Sequence, residues 1–361
     1  MPPKIARPFF SAPVAGIGSL PALLFVGFVA ASAPAVWACA TCGCSMSSDA
    51  AMGYSDATGW RVNLEYDYID QGQLRSGTNA MSSAQVASIN DAGGNQEVEH
   101  QTINRYLNLG INYRANADWN FSALIPYVDR SHNTYGPSGA SGINDANISN
   151  ADSTGLGDIK LIVAYQGLLP THNFGLQFGV KLPTGDFGGQ NVNTGATVGR
   201  NPVFFNTGPG AGQALDTSLN PGTGSTDLIV GAYYYQPVSQ NFDAYINGQF
   251  QGAVAEDLNQ PGADFRPGNQ ATMSLGLRYE ADPAWVPQLQ INLTRKNADS
   301  GALADTTDTA GTVAYLSPGV TLSVLKNTQV YAFLQLPIYS NLDGYQLFPR
   351  WTGSVGASYA F

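Results

Sequence analysis

The stretch FDAYINGQFQ, residues 242–251, decides the fold. Its apolar and polar side chains alternate, so one face carries Phe242, Ala244, Ile246, Gly248 and Phe250 and the other carries Asp243, Tyr245, Asn247, Gln249 and Gln251. A period of two residues is typical of a β-strand, because successive side chains point to opposite faces. The stretch therefore predicts a strand that separates an apolar environment from a polar one.

The same alternation returns along the chain from Trp60 to the last residue. We predict twelve strands, at residues 60–70, 101–114, 117–129, 156–167, 173–183, 226–237, 240–252, 269–281, 285–297, 310–321, 325–338 and 350–361. Short breaks alternate with long connections rich in Gly, Asn, Asp and Ser, at 71–100, 130–155, 184–225, 253–268, 298–309 and 339–349. Outer-membrane barrels have short periplasmic turns opposite long extracellular loops. We therefore predict an all-β fold, a transmembrane antiparallel up-and-down β-barrel of about 12 strands.

Composition supports a membrane barrel over a soluble one. Charged residues make up 12% of the chain, against roughly 25% in ordinary soluble domains. Alternation alone does not say which face is outside, but aromatic side chains near strand ends are typical of interfacial girdles, although aromatics also simply suit strands. The girdle candidates are Tyr66, Tyr68, Tyr113, Trp119, Tyr127, Tyr165, Tyr234, Tyr279, Trp285, Tyr315, Trp351 and Tyr359. The net charge of −10 excludes a nucleic-acid partner, which would require basic stripes.

The N-terminal residues 1–38 have the pattern of a secretory signal peptide. Lys4 and Arg7 precede an apolar run, and Val36-Trp37-Ala38 ends it with a cleavage pattern. Pro21 and several glycines interrupt the run, which argues against a retained spanning helix. We predict removal of 1–38, a Cys-containing periplasmic segment at 39–59 and the barrel at 60–361.

The C-terminal strand, WTGSVGASYAF at residues 351–361, alternates apolar side chains and ends on Phe361. It resembles the recognition strand of bacterial outer-membrane barrels. The resemblance implies that Tyr359 and Phe361 form the signal read by the outer-membrane assembly machinery, and that the protein lies in the bacterial outer membrane.

Three further stretches carry a family resemblance: TGLGDIK at 154–160, GVKLPTGD at 179–186 and STDLIVG at 225–231. Together they resemble the outer-membrane transporter β-barrels of the phenol-degradation meta-pathway family. The resemblance covers roughly residues 154–280. It implies an outer-membrane channel for diffusion of small solutes, aromatic or hydrophobic ones included, and brings no catalytic residues with it.

Charged side chains in phase with the polar face are the predicted pore lining. They are Arg61, Glu65, Asp67, Arg114, Asp158, Lys160, Lys181, Asp227, Asp243, Arg278, Glu280, Lys296 and Arg350. A mixed set favours ion pairs that tie the walls together over an ion-selective ring. The excess acid lies in the predicted loops, where it would repel anions: Asp91, Glu97, Asp145, Asp152, Asp216, Glu256, Asp257, Asp264, Asp305 and Asp308. The 184–225 loop is long enough to fold into a narrow twelve-stranded lumen, or else to remain on the surface.

The three cysteines of the chain, Cys39, Cys42 and Cys44, lie close together near the predicted cleavage site. Three alternatives stay open: a lipidated Cys39 beside a disulfide, a soft-metal site for Cu(I) or Zn, or an oxidised cap without function. The metal site supports a rival interpretation, in which the barrel anchors an envelope metal-binding or interaction protein.

Catalysis is not expected. The histidines, His100, His132 and His172, occur without a His-x-Ser pairing and are predicted to be exposed at strand ends or loops. The sequence also lacks a nucleophile elbow, a phosphate loop and a zinc-protease helix motif. We predict no cofactor apart from the metal that the cysteines would hold.

Overall fold

A computed structural model describes residues 58–136 and 139–361. The predicted signal peptide, the cysteines and most of the 39–59 segment lie outside the described residues. The elements are β1 (Gly59–Gly77), β2 (Asn79–Ala80), α1 (Ser83–Asp91), β3 (Glu99–Arg114), β4 (Trp119–Tyr135), β5 (Ile148–Leu156), β6 (Ile159–Tyr165), β7 (Phe174–Leu182), β8 (Phe187–Gln190), β9 (Thr197–Arg200), β10 (Ser225–Pro237), β11 (Phe242–Glu256), β12 (Asn259–Gln260), β13 (Ala263–Asp264), β14 (Gln270–Tyr279), β15 (Trp285–Lys296), β16 (Gly311–Leu325) and β17 (Thr328–Ala360). Short 3-10 helices lie at Ala140–Gly142, Asp145–Asn147 and Thr217–Leu219.

The strands form a closed antiparallel barrel. Over the described part of the chain, eleven strands pair in the order β17, β16, β15, β14, β11, β10, β7, β6, β4, β3 and β1, and β17 pairs with β1 to close the ring. β2 and β5 are attached outside this ring, on β1 and β4. Closure confirms the predicted barrel, because a sheet with two open edges would leave backbone groups unpaired in lipid.

β17 explains the difference between eleven strands and the predicted twelve. Its first arm pairs with β16 as far as Leu342, and its second arm pairs with β1 from Leu342 to Ala360. Between the arms Gly344 has φ +61°, and farther along Tyr331 of one arm lies against Gly356 of the other. The arms therefore form a hairpin. The predicted long loop at 339–349 is wrong, since Asp343-Gly344 makes a tight turn there.

The two faces of the wall are inverted relative to a soluble protein. On β15, Ile291 is 44% exposed on the outside, whereas its neighbour Asn292 is 1% exposed and faces the lumen. On β1 the same holds for Leu64 and Glu65, which are 48% and 0% exposed. A wall that exposes its apolar side chains and buries its polar ones is suited to a lipid bilayer.

Aromatic rings gather at the end of the barrel that carries the short turns, called the turn end below. Ring centroids lie 4.6 Å apart in Trp60 and Tyr113, and 4.7 Å apart in Trp119 and Tyr165. Both pairs join neighbouring strands. One girdle candidate differs: Tyr315 faces inward, because it pairs with the buried Asn292 and stacks on Phe348.

The opposite end, called the loop end, has more regular structure than the sequence predicted. β1 and β4 run into the predicted loops at 71–100 and 130–155, and α1 lies in the first of these. Ser82 and Gln85 form a capping box that starts α1, a sequence signal that the strand pattern obscured. In the described ranges, no helix is long and apolar enough to cross a membrane.

Replacing a lipid-facing side chain by a charged one tests the orientation of the wall. Ile291→Arg should lower the free energy of unfolding by about 2–4 kcal/mol, because the guanidinium would enter the bilayer near its midplane. The measurement is guanidinium unfolding of the protein in lipid vesicles. Val192→Arg, at an exposed position of the long loop, is the matched control, and an equal effect of both changes would contradict the assignment.

Candidate functional site

The structure buries six of the thirteen predicted pore-lining side chains and half-buries six more. Buried side chains are Glu65, Asp67, Arg114, Asp158, Lys181 and Asp227; half-buried ones are Arg61, Lys160, Asp243, Arg278, Glu280 and Lys296; Arg350 is exposed. Asp67 accepts hydrogen bonds from Asn108 Nδ2 at 2.7 Å and Ser354 Oγ at 2.5 Å, on the two strands that flank β1. These inward charges are thus held by neighbouring wall residues.

The three stretches that carried the family resemblance meet at one buried ion cluster. Lys181 Nζ lies 2.9 Å from Asp158 Oδ2 and 3.3 Å from Asp227 Oδ2, and each of the three residues comes from a different stretch. It also donates to Ser225 Oγ at 3.0 Å and to the hydroxyl of Thr223. Each side chain is at most 7% exposed. The cluster therefore joins β7 and β10 to the bend between β5 and β6.

The same cluster holds the start and the end of the long loop between β7 and β10. Asp158 Oδ1 accepts from the backbone N–H of Gly185 at 3.1 Å, and Oδ2 accepts from that of Thr223 at 3.0 Å. Charge-assisted bonds of this kind are stronger than neutral ones. The resemblance motifs thus fix where this loop leaves the wall and where it returns.

Arg130 anchors the returning end of that loop against the inward face of β4. This inward side chain of β4 is 4% exposed and donates to the carbonyl oxygens of Leu219 and Asn220, the latter at 3.4 Å. Its other nitrogens donate to Asn104 Oδ1 at 2.5 Å and to the Tyr106 hydroxyl at 2.8 Å. The last residues of the loop therefore pack inward on β4, whereas residues 192–197 and 206–209 are exposed, so the loop combines the two alternatives left by the sequence.

Apolar contacts hold the middle of the long loop against β5. Phe205, Leu215 and Leu219 form a buried cluster with Ala151 of β5. The backbone of Asn206 also donates to the carbonyl of Asn150 at 2.7 Å, on the same strand. The long loop is therefore part of the packed loop end.

Several acids expected at a solvent-exposed mouth are instead buried. Glu97, Asp216, Asp305 and Asp308 are at most 8% exposed, because the loops fold over them. The surface-mouth prediction is wrong for these four residues. Asp299 joins them, paired with Lys296 at 2.7 Å.

Burial changes the acidity of these loop carboxyls. Burial, aided by the nearby carboxylates of Asp299 and Asp305, raises the pKa of Asp216 to about 7. Burial and the carboxylate of Asp305 raise the pKa of Asp308 to about 6. Burial and Glu99 raise the pKa of Glu97 as well. The packed loops therefore favour protonated carboxyls.

His132 is buried, so the prediction that it is exposed is wrong. It is 0% exposed, with Nδ1 2.8 Å from Thr102 Oγ1 and Nε2 3.9 Å from Glu97 Oε1. His172 lies at the turn end, 3.2 Å from Asp118. Among the residues that the structure describes, no group of three His, Cys, Asp or Glu side chains is placed to hold a metal ion.

Comparison with solved structures identifies the fold. An outer membrane channel from Pseudomonas putida F1 superposes with a TM-score of 0.56 at 12% identity, over 85% of this chain and 97% of the channel. A toluene transporter of Pseudomonas putida superposes with a TM-score of 0.41 at 11% identity, over 85% of this chain and 91% of the transporter. The translocator domain of a Neisseria meningitidis autotransporter superposes with a TM-score of 0.48 at 10% identity, over 87% of this chain and 92% of the domain. No family model and no curated relative matches the sequence.

The first of these likenesses establishes the fold of an outer-membrane β-barrel. With its apolar outer surface, the protein is a barrel of the bacterial outer membrane. The roles of Tyr359 and Phe361 in assembly stay predictions; both are exposed at the turn end, with ring centroids 4.9 Å apart.

Removing the cation of the buried cluster should destabilise the barrel. Lys181→Met leaves Asp158 and Asp227 buried without their counter-ion, so the free energy of unfolding should fall by about 3–5 kcal/mol. Equilibrium unfolding in vesicles measures the loss. Adding Asp158→Asn and Asp227→Asn to that variant should restore part of the stability, and Lys160→Met, on the neighbouring strand, is the control. A loss that the two Asn changes do not reduce would contradict the ion-cluster explanation.

The buried loop carboxyls predict a pH dependence of stability. Since the pKa of Asp216 in the folded protein, about 7, and that of Asp308, about 6, lie above the ordinary carboxyl value, their contribution is fully present at low pH. It is lost as pH rises through about 6 to 7. Tm should therefore fall between pH 5 and pH 8, and it should fall less in Asp216→Asn. The exposed carboxyl variant Asp257→Asn should behave like the unmodified protein; identical pH profiles for all three proteins would refute the assignment.

Proposed function

We propose that the protein is an outer-membrane channel through which small solutes, aromatic ones included, cross by passive or facilitated diffusion. One observation carries the proposal: a closed ring of strands turns its polar side chains inward and its apolar side chains toward lipid. Residues that line the lumen of such barrels tune which solutes pass.

The attachment of the long loop to the inner wall supports diffusion through a restricted path. The Lys181 cluster holds both ends of this loop, and Arg130 holds its last residues before β10. A twelve-stranded barrel is already narrow. A solute that crosses it must therefore be small, or must displace this loop.

Two further points support the channel assignment and the aromatic solutes. The Pseudomonas putida F1 structure, which shares the fold, is described as an outer membrane channel. The three stretches 154–160, 179–186 and 225–231 resemble the meta-pathway transporter barrels, and in this chain they build the ion cluster that fixes the loop. The proposal assigns no catalytic step to the chain.

Single-channel conductance in planar bilayers tests the proposal. The protein should give discrete conductance steps that small aromatic solutes block. Arg130→Met should increase the conductance or the frequency of opening, because the loop loses its contacts to Leu219 and Asn220. Arg105→Met is the matched control, since Arg105 makes a half-exposed ion pair with Asp129 at 3.5 Å. A folded barrel that gives no steps would overturn the proposal.

A further inference from the structure

The inward face of β15 carries a row of amide side chains at Gln288, Gln290 and Asn292. They are 8%, 1% and 1% exposed, and they face the lumen between the apolar Leu289 and Ile291 that face outward. Gln288 Nε2 donates to Thr321 Oγ1 at 2.8 Å and Asn292 Nδ2 donates to Ser317 Oγ at 2.9 Å. We call these three residues the amide ladder.

Each member of the amide ladder also presents a buried polar atom for which the protein supplies no hydrogen-bond partner. The atoms are Gln288 Oε1, Gln290 Nε2 and Asn292 Oδ1. More than nine in ten buried polar groups in proteins are satisfied, and each unsatisfied one costs about 1–3 kcal/mol. Two acceptors and one donor in a row on one strand are therefore a costly arrangement, unless something that enters the lumen bonds to them.

The residues beside Gln290 and Asn292 on the two neighbouring strands are uncharged. In the strand register Gln290 lies between Gly276 and Ser317, and Asn292 lies between Ser274 and Tyr315. Arg278, beside Gln288, is charged, and its guanidinium is 2.9 Å from Glu280. Lys296, on the same face of β15, is paired with Asp299. An ion that reached Gln290 would therefore give up hydration without an opposite charge beside it on the neighbouring strands, which is costly.

Aromatic rings flank the ladder on both sides, because glycines make room for them. A Cβ at Gly276, beside Gln290, would collide with the ring of Tyr245 from the next strand. A Cβ at Gly319, beside Gln288, would collide with the ring of Phe333. Both rings are buried and lie on the lumen side of the wall. The ladder is thus a polar strip between two flat apolar surfaces.

We infer that the amide ladder binds uncharged aromatic molecules that carry both a hydrogen-bond donor and an acceptor, such as aromatic primary amides. The amide oxygen of such a molecule accepts from Gln290 Nε2, its amide nitrogen donates to Asn292 Oδ1, and its ring lies against Tyr245 or Phe333. A hydrocarbon leaves the ladder atoms unpaired, and a carboxylate meets no counter-charge. This inference rests on the proposed channel function, whose solute class it specifies.

Titration calorimetry of the protein in detergent micelles, against empty micelles as blank, tests the inference with benzamide, benzoate and toluene. Benzamide should bind at least about tenfold more tightly than the other two, since one unmatched hydrogen bond is worth about that factor. The double change Gln290→Met with Asn292→Leu removes the polar atoms at nearly constant volume and should weaken benzamide binding about tenfold or more.

Gln249→Met is the matched control, because this inward amide already donates to Gln177 Oε1 at 2.9 Å; its benzamide affinity should equal that of the unmodified protein. Circular dichroism checks the fold of each variant, and if the double variant does not fold, Gln290→Met alone, which removes the Nε2 donor without adding a charge, takes its place with the same expected loss. Equal binding of the three probes, or unchanged benzamide binding in the ladder variant, would overturn the inference.

Conductance of the same preparations separates this inference from the proposed function. A silent bilayer with ladder-dependent benzamide binding would overturn the channel and leave the binding site standing. A conducting barrel whose benzamide affinity is the same with and without the ladder side chains would overturn the binding site alone.

Discussion

Lipid provides no hydrogen-bond partners, and this constraint governs the whole molecule. Each backbone N–H and C=O of a spanning strand must bond to another strand, so the sheet has to close on itself. Here the last strand pairs with the first from Arg61–Ala360 to Gly77–Leu342. Once the ring is closed, every second side chain faces lipid and must be apolar. The remaining side chains face inward and are free to be polar.

Inside the ring a second constraint applies, because a buried charge needs a partner. The Lys181 cluster, the Asp67 contacts and the Arg130 contacts each satisfy buried charged groups with neighbouring residues. The Lys181 cluster and the Arg130 contacts also bind the long loop to the inner wall. The uncharged part of the lumen, around Gln290 and Asn292, lies on strands that this loop does not use as anchors. Charged side chains in this barrel therefore join its strands and loops, whereas the residues beside Gln290 and Asn292 on the neighbouring strands are uncharged.

The sequence was sufficient where one local rule acts alone. Period-two alternation identified strands such as Phe242–Glu256, since each side chain there faces either lipid or lumen. It failed where tertiary contacts decide: nothing local shows that Asp216 and Asp308 lie under folded loops, or that His132 is buried. The hairpin at Asp343-Gly344 and the capping box at Ser82 did have local signals, which the expectation of a long loop concealed. The Lys181 cluster joins residues that are far apart in sequence, so alternation placed each residue inward without pairing them.

Ring closure also sets an order on how the barrel forms. The contacts between β1 and β17 join residues up to about three hundred positions apart, and loop-closure entropy makes such pairings slow. Until the final arm of β17 arrives, β1 and its neighbours present a free strand edge that can pair with other chains. The chain must therefore be kept from aggregating after synthesis until its C-terminal residues are in place. A version shortened by a single hairpin would lose the closure of the entire wall along with that hairpin.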